Sequence, residues 1–449
     1  MFFDIKKGSI FAVNSHDRSN TFCAVTLELF QQIKGKNADC RGMIFNNTLW
    51  RVYQMMLETT SKEFDLGNLL KELPAQIEKL KETRKLVLTD AVLLGEIPSP
   101  TFNEEDRIRL TVDRFRENGL EDPEIDEQGN ASAVLPGSEG RSSILVMAHA
   151  DSVFDANTQH VLNVGPDSIT GPGIADNAIG LATVVTLPKL LQMLGITLKD
   201  DLILLANTKS LGRGNLDGAR YFLETKQRPI RAGICLEGAS QGRLSYSGLG
   251  TLRGEIRLEV PGNYDWNRFG SSGAVGHLTR IIKQLLEIPL PIEPKTKMVL
   301  GGLTCGSTYN KTPRSGCLRF EITSEDDEVL ADLRQQVKDL CEQCSLEDGT
   351  KVDLEVVATR PNCSIPFTHP LVKATRSIMN KIGITPQVIP STGDLNVLIE
   401  AGYAGVTLGL THAENIGEEN ETIQLEPLQA GIAQLVTLLQ AIDQGFCES

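Results

Sequence analysis

One imidazole and a few carboxylates stand at positions of this 449-residue chain where side chains do chemistry. In "SSILVMAHADSVF", residues 142–154, an apolar run leads straight into His149, and Asp151 follows two positions later. In "GPGIADNAIG", Asp176 stands at the start of a helical pattern, just after a Gly-Pro-Gly turn that lets the backbone approach closely. Glu237 closes a third apolar run, "AGICLEG". An imidazole and two carboxylates in such places suit a metal ion. A hydrogen-bonded core histidine is the competing reading of an isolated His-x-Asp. The Gly-x-Gly is not followed by Gly-Lys-Ser/Thr, so it does not indicate a nucleotide loop.

The elements that must position these residues follow from periodicity. From Ser143 onward, short apolar strands ("ILVMA", "DLILLAN", "AGICLEG") alternate with helical patterns ("DNAIGLATVVTLPKLLQML" and the stretch after "GNLDGARYFLET"). That alternation predicts an α/β fold, a mostly parallel sheet with helices on both faces. Polar residues gather at the predicted carboxyl ends of its strands: His149 and Asp151, Asn207 to Ser210, and Glu237. Open α/β sheets bind their ligands at that edge. Between 251 and 361 the order becomes β-α-β-β-α-β, a ferredoxin-like unit inserted as a lid. The chain then resumes with "HPLVKATRSIMNKIG", "AGVTLGLT" and "EPLQAGIAQLVTLLQAID". The expected division is a helical N-terminal extension at 1–80, a catalytic domain at 81–250 with 362–449, and a lid at 251–361.

Composition narrows the partners. A net charge of −14, without a Lys/Arg run interleaved with aromatics, argues against nucleic acid. No stretch reads as a membrane span, and "MFFDIKKGSIFAVN" lacks a secretory apolar core, so the expected setting is cytoplasmic. Nine scattered cysteines do not form a disulfide framework. Cys341 and Cys344 have zinc-knuckle spacing but no second pair nearby, and their helical pattern predicts one half-buried and one exposed thiol.

Taken together with "LLGEIPSPTFNEEDRIRLTVDRF" and "ASAVLPG", these motifs resemble, from about Thr83 onward, the zinc-dependent metallopeptidase family that includes peptidase T, carboxypeptidase G and aminoacylase. The resemblance implies a zinc-exopeptidase-like fold with an inserted lid and two zinc ions sharing a bridging aspartate. On this chain it implies His149 and Glu237 as ligands, Asp176 as the bridge, and Asp151 as the catalytic partner that fixes the imidazole tautomer. The lid would add Asn310 and, where the family has a histidine, Tyr264 for substrate binding.

The same alignment exposes departures. Ser210 and Leu211, with Lys209 just before them, stand where the family carries its Glu-Glu pair, the general base and a ligand of the other metal. A serine hydroxyl is no base near neutral pH without activation, and leucine cannot ligate. Gly417 takes the place of the last histidine ligand, with His412 five residues earlier as a possible substitute, and Thr323 stands near the usual lid arginine. The expectation is one zinc ion or none (another divalent metal being possible), with hydrolysis of small peptides or N-acyl amino acids impaired or lost. Two alternatives stand beside it: an active amidohydrolase with a base rebuilt from Lys209, Ser210 or another loop, and a non-catalytic binding module. The lid is the expected surface of a homodimer.

Overall fold

A strand that is apolar at every position must be covered on both faces, and Ser143–His149 is buried along its whole length. A computed structural model describes residues 2–4, 9–11 and 66–447, apart from 227, 262–272 and 349. The chain divides into two units, Met1–Phe64 and Asp65–Ser449. In the first, the strands Phe2–Asp4 and Ser9–Phe11 pair antiparallel. The rest of the expected helical extension up to residue 65, and Tyr264, lie outside the described residues.

The second unit opens with α1 (Gly67–Gly95) and α2 (Glu105–Glu117), then the hairpin β1 (Glu121–Ile125) and β2 (Ala131–Leu135). There follow β3 (Ser143–His149), α3 (Ile179–Leu194), β4 (Asp201–Asn207), α4 (Asp217–Thr225), β5 (Ile230–Glu237) and β6 (Arg243–Ser245). The insertion comprises β7 (Gly250–Glu259), α5 (Gly273–Glu287), β8 (Thr296–Cys305), β9 (Ser315–Ser324), α6 (Asp327–Asp348) and β10 (Lys351–Arg360). The chain returns as α7 (Pro370–Lys381), β11 (Gln387–Val388), α8 (Leu395–Glu400), β12 (Gly405–Gly409) and α9 (Leu428–Asp443).

The main sheet has the order β11-β6-β12-β5-β3-β4-β2-β1. Its centre, β12-β5-β3-β4, is parallel, while the β1–β2 hairpin and the β6–β12 pair add antiparallel contacts at the flanks. Alternate residues of β3 feed opposite cores. Ile144, Val146 and Ala148 pack with α1, α2, α3, α7 and α9; Leu145 and Met147 pack with α4 and α8. The apolarity of the stretch Ile174–Leu194, long enough to cross a membrane, is spent on this packing, since nearly all of it is buried.

The insertion folds as expected: a four-stranded antiparallel sheet in the order β8-β9-β7-β10, covered by α5 and α6. Cys341 and Cys344 differ from expectation. Both are buried in the core under α6, because residues three apart share one helical face. The neck of the lid is a two-stranded ribbon, with Gly248 opposite Cys363 and Thr251 opposite Arg360.

Candidate metal centre

Register brings the chemistry to one edge. His149 ends β3 directly beside Asn207 at the end of β4, and Glu237 ends β5 beside Gly409 of β12. Asp176 reaches the same place from the loop before α3. Two side chains fix that loop. Asn177 donates to Leu236 O at 2.7 Å and accepts from Gly238 N–H at 2.8 Å, so it ties the loop to the strand carrying Glu237. Buried Glu421 accepts from Ala175 N–H at 2.9 Å, from Asp176 N–H at 3.4 Å and from Gly417 N–H at 2.8 Å. The approach requires glycine at 238, where a Cβ would stand 2.3 Å from Ile179 Cγ2 and 2.5 Å from Ala175 O.

The ligating atoms of His149, Asp176 and Glu237 converge within 4.8 Å of one another, and this is the one group of three or more such residues among the described residues. His149 Nδ1 faces Asp151 O at 3.0 Å and Asp151 Oδ1 at 3.5 Å, which places its proton on Nδ1. Nε2 then turns a lone pair toward Asp176 Oδ1 at 3.0 Å. Two acceptors that close need a proton or a cation between them. The residues therefore fit a divalent metal, with an imidazole nitrogen and two carboxylates as donors. Electrostatics points the same way. Burial alone would lower the His149 pKa, but the Asp151 and Asp176 carboxylates outweigh it and hold it well above 6.5. Burial raises the Glu237 carboxyl, against the pull of His149 and Arg243.

Asp151 does more than face the imidazole. Its carboxylate is fully buried, and Oδ2 accepts from Thr101 Oγ1 at 2.8 Å, Ser210 N–H at 3.0 Å and Leu211 N–H at 2.8 Å. Glu104 Oε1 takes the preceding amide, Lys209 N–H, at 2.9 Å. Three successive amides of the turn after β4 are thus held by two carboxylates. Arg107, itself buried, donates to Ala150 O at 2.9 Å and Ile97 O at 2.6 Å, clamping the strand end between His149 and Asp151.

A cavity of about 230 Å³ opens over the cluster. Ser210 and Leu211 line it, whereas Lys209 turns away and donates to Gln128 Oε1 at 2.8 Å. His412 is exposed and does not join the cluster. Gly417 N–H binds the same Glu421 carboxylate as the amides of Ala175 and Asp176, with a left-handed φ of +87°. Asn310 stands on an exposed turn after β8, apart from the residues lining the cavity.

Two lining residues escaped sequence reasoning. Asp394, only 7% exposed, accepts from Ser210 Oγ at 3.2 Å, and burial raises its pKa. Its signal is faint, an acid after "STG" with no periodicity around it. The other is Arg243, on a three-residue strand.

Comparison with known proteins fits this arrangement. Residues 130–254 match peptidase family M28. A [LysW]-lysine/[LysW]-ornithine hydrolase of Saccharolobus islandicus is 22% identical over 43% of this chain, and the match spans about half of that relative's length, 54%. Peptidase T of Aeromonas hydrophila is 22% identical over 74% of this chain and 90% of its own. The chain is thus similar to metallopeptidases of the M28/M20 type. A solved structure of this group, a dinuclear metal-binding M20 peptidase from Bacillus subtilis, superposes on the fold with a TM-score of 0.56. It is 14% identical and covers 81% of this chain and 99% of its own. Within this metallopeptidase fold, the cluster occupies the carboxyl edge of the parallel strands.

Proposed function

We propose that this chain is a metallopeptidase-type protein that holds one zinc ion through His149, Asp176 and Glu237, with hydrolysis of small peptides or N-acyl amino acids impaired or lost. The observation that carries the reading is the asymmetry of the cleft. One side offers an imidazole and two carboxylates within 4.8 Å, while the other presents Ser210 and Leu211 on the wall, and Gly417 brings no side chain. Zinc at such a site polarises a carbonyl and acidifies water. The chain's own residues do the rest. Asp151 holds Nδ1–H of His149 so that Nε2 stays a donor to metal, and Asn177 and Glu421 hold Asp176 against Glu237. A carboxylate to take a proton is missing at 210 and 211, and loss of a general base typically costs about a hundred- to ten-thousand-fold in rate.

A second reading, an active hydrolase with a rebuilt base, is favoured by Asp394, the carboxylate on the same wall whose pKa burial raises. The test joins two measurements on the full chain. Elemental analysis after zinc loading should give one zinc per chain, lost in His149→Ala. A panel of dipeptides and N-acyl amino acids with zinc, manganese or cobalt should turn over slowly or not at all. Two zinc ions per chain would overturn the single-site reading. Turnover at ordinary enzymatic rates, abolished by Asp394→Asn, would establish the second reading instead.

A further inference from the structure

The turn after β4 is gripped from two sides. On one side, Glu104 and Asp151 of the α/β domain hold the amides of Lys209, Ser210 and Leu211. On the other, the lid holds the two residues that follow. Arg253 of β7 donates from Nη1 to Gly212 O at 2.9 Å, while its Nε pairs with Glu321 of β9. Arg213 reaches the opposite way, with Nη1 3.0 Å from Glu255 of β7 and Nη2 2.5 Å from Glu355 of β10. One arginine thus crosses in each direction at adjacent residues. Glu255 is a firm anchor, because it is buried and is also held within the lid by Arg257 at 2.9 Å and Arg319 at 3.1 Å.

Between the two grips the turn is stiff. Gly214 N–H returns to Leu211 O at 2.8 Å, and a Cβ at 214 would stand 2.4 Å from Lys209 O. Residues 212–214 are therefore folded back onto 209–211, and a displacement of Gly212 by the lid is carried to the amides of Ser210 and Leu211. Those amides are two of the three donors to Asp151 Oδ2, and Asp151 Oδ1 faces His149 Nδ1 at 3.5 Å. The opposite wall of the cavity is held likewise: Arg360, at the end of β10, donates to Thr392 O at 2.9 Å, two residues before Asp394. Arg360 is buried in the neck, where its loss would disturb folding, whereas Arg213 is exposed and isolates the connection.

We infer that Arg213 is a positioning residue for the metal cluster: by latching the lid to this turn it sets how firmly Asp151 holds His149, so that docking of the lid and binding of a divalent cation strengthen one another. This rests on the reading of His149, Asp176 and Glu237 as a zinc site, but it concerns what tunes that site and not hydrolysis. The latch can transmit no more than its own strength. Two partly exposed ion pairs contribute little each, so the expected coupling is about three- to tenfold in zinc affinity. Because the pairs are open to solvent, raising the salt concentration screens them and removes the same increment.

The test uses the full chain with zinc alone as the probe. In competition with a chromophoric chelator at low salt, Arg213→Gln should bind zinc about three- to tenfold more weakly than the parent, with part of the loss recovered in Arg213→Lys. Arg257→Gln breaks pairs with the same Glu255 and Glu355 but wholly inside the lid, and should leave zinc affinity unchanged. In an Asp151→Asn background, Arg213→Gln should weaken zinc no further, since both act along one route. Coupling is reciprocal, so zinc should slow deuterium uptake in β7 and β10 of the parent and do so less in Arg213→Gln. Equal zinc affinity in parent and Arg213→Gln, equal losses in Arg213→Gln and Arg257→Gln, a full further loss in the Asp151→Asn background, or lid strands whose uptake ignores zinc would each overturn the inference and leave the zinc site standing. A parent chain that binds no zinc would overturn both.

Discussion

Replacing Asp151 with asparagine preserves shape and removes charge, and the structure says what that must do. The carboxylate now serves both sides, with Oδ2 accepting three hydrogen bonds of 2.8–3.0 Å and Oδ1 lying 3.5 Å from His149 Nδ1. An amide has only one oxygen to give. Turned toward Thr101, Ser210 and Leu211, it sets its NH2 against the Nδ1–H of His149, donor against donor. The Nδ1–H keeps the main-chain O of residue 151 as its acceptor at 3.0 Å, but the negative charge that makes the imidazole a stronger donor to a metal is gone. A hydrogen bond to a charged acceptor contributes about 1.5–3 kcal/mol and a neutral one about 0.5–1.5. Losing about 1 kcal/mol at each of three contacts costs about 3 kcal/mol in all. Zinc affinity should fall about 10- to 100-fold, as for other partners that orient a ligating histidine. Thermal denaturation of the metal-free protein reads the first effect, and competition with a chromophoric chelator reads the second. The pH dependence has a definite sign. Burial alone would raise the Asp151 pKa, but His149 and the N–H donors bring it below the ordinary 3.8. A depressed carboxylate contributes stability that is complete above the unfolded value and lost as pH falls through the folded one. The advantage of the parent over Asp151→Asn should therefore hold at pH 7 and shrink below about pH 4. A variant as stable as the parent at pH 7, with unchanged zinc affinity, would refute this account of Asp151.

Gly238→Ala should destabilise the chain by about 1–3 kcal/mol and weaken zinc binding in the same chelator assay, since the new methyl displaces the loop that carries Asp176. Gly417→His should cost about 1–2 kcal/mol from its left-handed backbone, with no steric addition because the space around Gly417 is open. Combined with Ser210→Glu and Leu211→Glu it should raise zinc from one to two per chain by elemental analysis; an unchanged count in a folded triple variant would show that the turn after β4 does not present those side chains to Asp176. Arg213→Ala removes ion pairs from the α/β domain to Glu255 and Glu355 of the lid. These are partly exposed pairs worth about 0.2–1 kcal/mol each, so the denaturation midpoint should barely move while deuterium uptake in β7 and β10 rises.

What the sequence disclosed and what it withheld divide along physical lines. β3, β4 and β5 were legible because strands buried on both faces must be apolar throughout, and the lid was legible because its amphipathic order survives insertion. His149 and Glu237 stood out because a polar residue at the end of an apolar run is costly without a role, and Asp176 because it follows a Gly-Pro-Gly turn at a helix start. The hold of Asp151 on the amides of Ser210 and Leu211 was not legible, since a backbone N–H leaves no mark on residue type. Asp394 and Arg243 stayed hidden for a related reason. Their segments, at 391–394 and 243–245, are too short to show a period, and tertiary contacts such as Arg360 Nη1 on Thr392 O at 2.9 Å decide where they lie. The pair Cys341 and Cys344, both buried, was misread because the charged residues around them masked the face they share.

The neck of the lid has a consequence for how such a protein can change over generations. The chain leaves the α/β domain and re-enters it on adjacent antiparallel strands, with Thr251 facing Arg360, and none of the eight strands of the main sheet comes from the lid. Partners across such a ladder sit about 5 Å apart, a gap that a tight turn closes. The segment is therefore a cassette: a gene could lose it, exchange it or acquire it while every hydrogen bond of the main sheet is kept, and the cluster at the strand ends would pass intact from a covered cleft to an open one.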